Sequence, residues 1–212
     1  MKSRQEILEE TKKALIKSIT PDLMIIKVIQ SVDELTKVSN RLTANIRERY
    51  NVYAPDTAKN ASQEELLKAI KGRKQEELSI PLKERDFKHL ESLAEEIKRL
   101  NNVKEEQENY LDVLMKETCP HLQQEAGTII GARLLAQAGS LKNLARMASS
   151  KIQVLGAEKA LFKHLKSKAN PPKFGIIFAH TRISESKEKG KAARHVAADI
   201  AKAAKMDYFS KK

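Results

Sequence analysis

Two long segments of the sequence carry apolar residues at alternating spacings of three and four, and this spacing constrains the fold more than any other feature. The first segment follows Pro21 and is interrupted only by Ser39. Its apolar positions are Ile25, Val28, Val32, Leu35, Leu42 and Ile46. Because the spacing places these side chains on one seam of a helix, it predicts a coiled-coil helix from about Asp22 to Tyr50.

The second segment extends from about Glu84 to Thr118. Its apolar positions are Leu90, Leu93, Ile97, Leu100, Leu111 and Leu114. Lys104 and Gln107 lie in the middle of this seam, and we interpret them as a solvated or register-fixing layer. Two long helices separated by a local excursion predict an antiparallel hairpin, in which each helix is about 50 Å long at about 1.5 Å per residue.

The excursion between the two helices, residues 51–83, is expected at the tip of this hairpin. Asn51 and Pro55 end the first helix, and a short amphipathic helix is predicted from about Gln63 to Ile70.

Composition and periodicity together predict an all-α fold. Ala, Leu, Lys and Glu are abundant, whereas Gly and aromatic residues are few, so strand-rich folds are disfavoured. We expect an N-terminal helix over residues 1–21, an antiparallel coiled-coil arm over residues 22–119 and a compact helical domain over residues 120–212.

The excess positive charge of the chain is confined to its C-terminal part. Residues 126–212 have 18 Lys and Arg against 5 Asp and Glu, whereas residues 1–125 have 22 against 23. Between Ala126 and Lys173 the only acid is Glu158. Basic residues recur through this stretch: Lys142, Arg146, Lys151, Lys159, Lys163, Lys166, Lys168 and Lys173. Because such charges neutralise phosphates and release counterions, we predict a surface that binds RNA or DNA.

The apolar pattern indicates neither a membrane-spanning helix nor a signal peptide. No apolar run approaches the ~18 residues that a membrane helix needs, and the N-terminal MKSRQEILEE lacks the apolar core of a signal peptide. We therefore expect a cytosol-like compartment.

The single cysteine, Cys119, cannot form an internal disulfide, and we interpret it as a thiol without a role at a helix end.

Familiar catalytic patterns are absent from the sequence. It has no GxSxG, GxxxxGK[ST], GxGxxG, HExxH or CxxC motif, and Cys119 with His121 is a weak signal for a nucleophilic pair. We expect no enzymatic activity, no cofactor and no metal site. Tryptophan is absent and the tyrosines are scattered, so a stacking platform for single strands is not expected.

The basic part is expected to consist of short helices rich in Ala and Gly. KGKAARHVAADIAKAAKMDYF predicts an amphipathic helix with a basic flank. Its apolar face consists of Ala193, Val196, Ala197, Ile200 and Ala204. The apolar run FGIIFAH, after Pro171 and Pro172, is either a buried extended segment or the first turns of a helix, and periodicity does not decide between them.

The motif GAEKALF, at Gly156–Phe162, is preceded by GSLKNLARM and SKIQVLG, and this combination closely resembles the Nop-domain family. That family comprises archaeal and nucleolar scaffold proteins of box C/D guide-RNA ribonucleoproteins and a related spliceosomal pre-mRNA-processing factor. The likeness extends through CPHLQQEAGTIIGARLL, PPKFGIIFAH and KAARHVAADIAKAAKMDYFS. The segment DLMIIKVIQSVDELTKVSNRLTANIRERYNVYAP also resembles the family's central helices, so most of residues 22–210 is covered.

The resemblance implies an all-helical Nop domain that recognises kink-turn RNA together with a small, ribosomal-protein-like kink-turn-binding protein already bound to it. A rigid basic surface that also contacts a protein can be selective without reading bases, whose edges RNA double helices do not readily expose. By the same resemblance the coiled coil mediates self-association. In archaeal members an N-terminal domain holds fibrillarin, the methyltransferase that modifies ribose 2′-hydroxyls.

Carried over residue by residue, the resemblance places the junction of RNA and protein at the GAEK motif. Lys159 and Lys163 would contact phosphate, and Glu158 either belongs to the junction or forms a salt bridge with a neighbouring lysine. In the spliceosomal relative, a histidine of this region stacks on a nucleotide. In this sequence, His180 lies one position away from the residue that matches that histidine. The predicted RNA-binding residues are Lys142, Arg146, Lys151, Gln153, Gly156, Ala157, Glu158, Lys159, Lys163, His180, Lys191 and Arg194.

The start of the chain departs from the family pattern. MKSRQEILEETKKALIKSI comes directly before the coiled-coil helix, so we expect either a fragment or a naturally short member that does not recruit fibrillarin alone. Its expected location is the cytoplasm for an archaeal-type protein and the nucleolus or nucleus for a eukaryotic one. Two alternatives remain open: a spliceosomal-type role, and a structural coiled-coil protein whose basic half binds acidic proteins or membrane surfaces.

Overall fold

The computed structural model describes residues 3–73, 76, 80–167 and 170–210, and of residues 16–18 only the backbone. This part of the chain contains helices and turns and no strand, which confirms the all-α class. The helices are α1 (Arg4–Ser18), α2 (Pro21–Asn51), α3 (Pro55–Asn60), α4 (Gln63–Lys71), α5 (Glu84–Thr118), α6 (Pro120–Ala126), α7 (Thr128–Ala138), α8 (Leu141–Arg146), α9 (Ser149–Val154), α10 (Glu158–Lys166), α11 (Thr181–Ser184) and α12 (Lys189–Phe209). A 3₁₀ turn, Ile176–Ala179, lies between α10 and α11.

The chain forms two compact units. The coiled-coil unit is Ser31–Gln107, and the basic unit combines Met1–Gln30 with Glu108–Lys212. The predicted bounds of α2, α4 and α5 are confirmed to within one residue. No helix in the described ranges is both long enough and apolar enough to span a bilayer.

In the coiled-coil unit, α2 and α5 run antiparallel. Ile46 shares a buried cluster with Ile97, whereas the earlier Ser39 lies opposite the later Asn101. The Ser39 hydroxyl donates to Oδ1 of Asn101 over 2.7 Å and accepts from the amide of Gln63 over 3.0 Å. Because buried polar groups need partners, this layer favours one register of the two helices.

The tip of the coiled-coil unit packs on α2 through a tyrosine and an arginine. Tyr50 is fully buried, and its hydroxyl donates to the carbonyl of Ala69 over 3.3 Å. Burial raises the pKa of Tyr50 to about 12. The guanidinium of Arg47 donates to the carbonyls of Ala58 and Ala61, which stand at the C-terminal end of α3 and lack helical partners.

Helix α12 is the centre of the basic unit and packs against α6, α8 and α9. Its predicted apolar face is confirmed as buried: Ala193, Val196, Ala197, Ile200 and Ala204. The small side chains on this face let neighbouring helices approach closely. In the FGIIFAH segment only Ile176–Ala179 is helical, as the 3₁₀ turn, in which Ile177 is the buried residue.

A buried aspartate joins α12 to the start of α6. Asp207 is 2% exposed, and its carboxylate accepts the N–H groups of His121 over 3.1 Å and Leu122 over 2.8 Å. The same carboxylate lies 2.7 Å from Nδ1 of His121. The N-cap residue of α6, Cys119, makes no cap bond through its side chain, so Asp207 supplies the acceptor that the helix start needs.

We expect Asp207→Ala to lower the free energy of unfolding by about 3 kcal/mol, because it leaves the buried N–H of Leu122 and the partly buried N–H of His121 without an acceptor. The matched control is Asp199→Ala on the same helix, which breaks an exposed ion pair with Arg182 and is expected to cost less than about 1 kcal/mol. Urea denaturation followed by circular dichroism measures both. Equal losses would contradict the role assigned to Asp207.

Candidate nucleic-acid interface

The GAEK motif forms a tight turn between α9 and α10. Gly156 has a φ of +86°, a left-handed conformation that favours glycine. A Cβ at this position would lie 2.5 Å from Cγ1 of Ile176. The N–H of Ala157 donates to the carbonyl of Val154 over 3.0 Å, and α10 begins at the next residue, Glu158. Glycine at position 156 therefore sets the direction in which α10 leaves the turn.

Residues 153–156 pair with residues 173–176 through the backbone, and we call this element the paired turn. The N–H of Gly175 donates to the carbonyl of Gln153 over 2.9 Å, and the following N–H donates to the carbonyl of Leu155 over 2.8 Å. A Cβ on residue 175 would lie 2.0 Å from that second carbonyl oxygen. Only glycine fits there without moving the backbone, so the pairing depends on this residue.

Two predicted RNA-binding residues, Glu158 and Gln153, bond to the paired turn itself. The Glu158 carboxylate accepts the N–H of Gly156 over 2.8 Å and the amide of Gln137 over 3.1 Å. The amide of Gln153 donates to the carbonyl of Lys173 over 2.7 Å. Within the described part of the chain Glu158 forms no ion pair with a lysine. The solitary acid of the basic stretch thus stabilises the turn.

Helix α10 presents a cationic face and an apolar face, and none of its side chains is buried. The cationic face consists of Lys159, Lys163 and Lys166, all exposed. At about 100° per residue these positions lie within about 60° of one another. The adjacent face carries Phe162 and Leu165, which are 61% and 70% exposed. One helix therefore offers anion-binding and apolar contacts side by side.

The other predicted cations are exposed and lie on different helices of the basic unit. They are Lys142 and Arg146 on α8, Lys151 on α9, and Lys191 and Arg194 on α12. The Lys191 ammonium is 3.6 Å from the Glu188 carboxylate, and Arg194 donates to the carbonyl of Gly190 over 3.3 Å. Both border a shallow groove of about 560 Å³ at the start of α12. Lys168 lies outside the described residues.

The ring of His180 is held by two hydrogen bonds. Its Nδ1 accepts the N–H of Arg182 over 3.2 Å, so the proton is assigned to Nε2, which donates to the carbonyl of Glu125 over 2.9 Å. The side chain is half-buried. These bonds attach the segment after the 3₁₀ turn to the end of α6.

A pair of phenylalanines near His180 was missed by the sequence reasoning, which considered tyrosine, tryptophan and histidine for stacking. The rings of Phe174 and Phe178 are parallel within 9°, with centroids 4.6 Å apart. Phe178 is 41% exposed, and the Lys189 ammonium is 5.3 Å from its ring centroid. No periodic signal pointed to this pair, because Phe174 precedes the 3₁₀ turn that contains Phe178.

Among the residues that the structure describes, no three His, Cys, Asp or Glu side chains are grouped so that they could hold a metal ion. Cys119 is buried, and the His121 imidazole contacts Asp207. The side chains that helix α10 presents most fully to solvent are cationic or apolar.

Comparison with known proteins gives a consistent family match. The sequence model of the Nop family, described as "snoRNA binding domain, fibrillarin", matches residues 13–212. An uncharacterized NOP5 family protein of Methanocaldococcus jannaschii is 36% identical over 230 residues, which cover 94% of this chain and 56% of the relative. Nucleolar protein 58 of Candida albicans is 34% identical over 217 residues, which cover 89% of this chain and 42% of the relative. The chain therefore spans about half the length of these curated relatives.

A solved structure has the same fold. The crystal structure of a fibrillarin/Nop5p complex contains a chain that superposes with a TM-score of 0.58 at 26% sequence identity. The match covers 99% of this chain and 70% of that chain.

We expect Gly175→Ala to destabilise the basic unit by about 2 to 3 kcal/mol, because the added Cβ forces the two segments of the paired turn apart. Gly190→Ala is the matched control, since a Cβ there meets no atom within 4 Å. It should change stability by no more than about 0.5 kcal/mol. Thermal unfolding followed by circular dichroism compares the two. A Gly175 variant as stable as the Gly190 variant would disprove the close contact.

Proposed function

The chain belongs to the Nop family, and from this premise we propose that it is a non-catalytic, RNA-binding scaffold of a box C/D guide-RNA ribonucleoprotein. In this proposal it recognises a kink-turn RNA together with the small kink-turn-binding protein seated on that RNA. It self-associates through the coiled coil and supports ribose 2′-O-methylation that a partner carries out.

The observation that carries the proposal is the two-faced surface of α10. Lys159 and Lys163 are exposed and carry no described ion pair, so they are available to phosphates, which attract cations whatever the RNA sequence. Phe162 and Leu165 are large apolar side chains left in solvent beside them. Exposed apolar groups next to a cationic face suit a surface that buries against a protein while it contacts RNA.

The paired turn also supports the proposal, because a turn that is already ordered lowers the entropy lost on binding. Because Gly156 and Gly175 fix the turn before any ligand binds, α10 requires little ordering when the complex forms. A preorganised surface can be selective for a composite target, since its RNA and protein contacts form together only when both partners are in place.

Nucleotide stacking by His180 remains part of the proposal, and Phe178 offers a second ring for the same purpose. The His180 ring nitrogens bond to backbone groups, which leaves its faces for contact. Phe178 is supported from behind by Phe174 and flanked by Lys189. Aromatic faces in a cationic setting stack on unpaired bases.

The named relatives suggest the wider setting. Fibrillarin stands beside Nop5p in the matched complex, and we assign the methyltransferase chemistry to such a partner. A yeast relative is named a nucleolar protein, so a eukaryotic source would place this chain in the nucleolus and an archaeal source in the cytoplasm. The NOP5 and nucleolar protein 58 relatives favour the box C/D role over the spliceosomal-type role.

The direct test of this function is a gel-shift titration with kink-turn RNA, alone and preassembled with the small kink-turn-binding protein. We expect weak, salt-sensitive binding to bare RNA and strong binding to the preassembled complex. Equal affinity for both would reject composite recognition. Binding to anionic vesicles or acidic proteins in preference to either RNA target would favour the structural coiled-coil alternative.

Variants of the two faces of α10 should have separable effects. The double substitution Lys159→Ala and Lys163→Ala should make the fall of log affinity with log salt less steep. The magnitude of the slope should decrease by about 1.4 to 1.8, because two phosphate contacts are lost. Phe162→Ser with Leu165→Ser should keep that slope and weaken binding to the preassembled complex about tenfold or more. The charge-matched control is Lys202→Ala with Lys205→Ala near the other end of α12. If this control reduces the magnitude of the slope as much, the lysines of α10 have no special role in binding phosphate.

A further inference from the structure

A groove of about 520 Å³ lies between α2 and α5 in the coiled-coil unit, and we call it the coiled-coil groove. Leu42 and Leu93 form its floor, because both are half-buried and pack against the buried cluster of the unit. Six exposed polar side chains form its rim: Arg41, Asn45, Arg49, His89, Ser92 and Glu96. The groove therefore combines an apolar floor with a polar rim.

Two arginines on the rim bond to nothing in the part of the chain that the structure describes. The coiled-coil unit contains six arginines. Four of them pair with carboxylates or donate to backbone carbonyls: Arg47, Arg73, Arg85 and Arg99. The other two, Arg41 and Arg49, both stand in the coiled-coil groove. The arginines left without a counter-charge are thus gathered at one place on the unit.

The one carboxylate on the rim is already neutralised. Glu96 lies 2.9 Å from the guanidinium of Arg99, which is not part of the rim. Residues 31–107 carry 15 Lys and Arg against 15 Asp and Glu, so the unit as a whole has no net charge. The unpaired positive charge of the groove is therefore a local feature and does not follow from composition.

The spacing of Arg41 and Arg49 indicates an extended anion. The two residues are eight positions apart on α2, about 12 Å along the helix axis at about 1.5 Å per residue. A guanidinium binds a phosphate through two parallel N–H groups, and a nucleic-acid strand presents phosphates at regular intervals. Asn45 and Ser92 have no hydrogen-bond partner within the described ranges, so they are available to donate to the same strand.

We propose that the coiled-coil groove binds a strand of RNA through its phosphates, with Arg41 and Arg49 on separate phosphates. This contact rests on the proposed function, because the strand belongs to the RNA that the basic unit holds. Once that RNA is bound, the contact in the groove is intramolecular, so even a weak site adds to the affinity. Phosphate contacts do not read bases, and the groove therefore accepts any sequence.

Salt titration with two RNAs tests the groove. One is a kink-turn RNA with a long single-stranded extension at each end, and the other is the same RNA without extensions, both preassembled with the kink-turn-binding protein. The double substitution Arg41→Ala and Arg49→Ala should decrease the magnitude of the slope of log affinity against log salt by about 1.4 on the extended RNA, because two single-strand phosphate contacts are lost. On the unextended RNA the slope should not change.

The charge-matched control is the double substitution Lys59→Ala and Lys98→Ala. Both lysines are exposed, belong to the same unit and lie outside the groove, and neither has a partner among the described residues. The control should leave the slope unchanged on both RNAs. Circular dichroism should show that all four substitutions keep the helical content, since each replaces an exposed side chain.

Photo-cross-linking tests the position of the strand. Asn45→Cys, labelled with a photoreactive group, should cross-link to the extended RNA, and the label is selective because Cys119 is buried. Lys98→Cys is the matched control, since position 98 lies about 160° around α5 from Glu96. It should cross-link far less. Excess RNA of unrelated sequence should displace the cross-linked strand, whereas polyglutamate should not.

Three results would overturn the proposal: an unchanged slope in the Arg41 and Arg49 variant on the extended RNA, an equal decrease in the lysine control, or equal cross-linking from position 98. Displacement by polyglutamate in preference to RNA would assign the groove to an acidic protein. Failure of the groove is distinguishable from failure of the proposed function. The Lys159 and Lys163 variant should alter the slope on both RNAs, and only the absence of that effect counts against the basic unit.

Discussion

The backbone pairing of residues 153–156 with residues 173–176 is the contact on which the candidate interface depends. It requires a residue without a side chain at position 175, where a Cβ would lie 2.0 Å from a carbonyl oxygen, and a left-handed conformation at Gly156. Glu158 then closes the turn by accepting the N–H of Gly156. Because all of these bonds are internal, the turn is complete before a ligand arrives, and α10 leaves it with no buried side chain.

This arrangement explains how a helix that contributes nothing to the core can still be held firmly in place. Helix α12 provides the buried support of the basic unit, and Asp207 joins its far end to α6. Helix α10 carries lysines and large apolar side chains on adjacent exposed faces, and we propose that these faces bind the RNA and its protein. In the proposed complex, the lysines would supply a long-ranged, unspecific attraction to phosphate, whereas burial of Phe162 and Leu165 would require a fitting surface. We therefore infer that the cationic face contributes affinity and the apolar face contributes selectivity.

Much of the fold could be predicted from the sequence, because periodicity reports which side of a helix is buried. The bounds of α2, α4 and α5 and the buried face of α12 follow from it. The partners of Ser39 could not be predicted, since Gln63 and Asn101 are distant in sequence and no periodic signal links them.

At the candidate site, the charge pattern identified the exposed lysines of α10, but the paired turn joins residues about 20 apart through backbone groups that leave no side-chain pattern. For the same reason, charge alone could not show that Glu158 and Gln153 bond within the turn.

Hydrogen exchange measured by mass spectrometry tests the central claim most directly. In the free chain the amides of Gly175 and Ile176 should already exchange slowly, and those of α10 should slow only when the RNA and the kink-turn-binding protein are present together. Fast exchange at Gly175 and Ile176, or no change in α10 with the preassembled complex, would contradict the account.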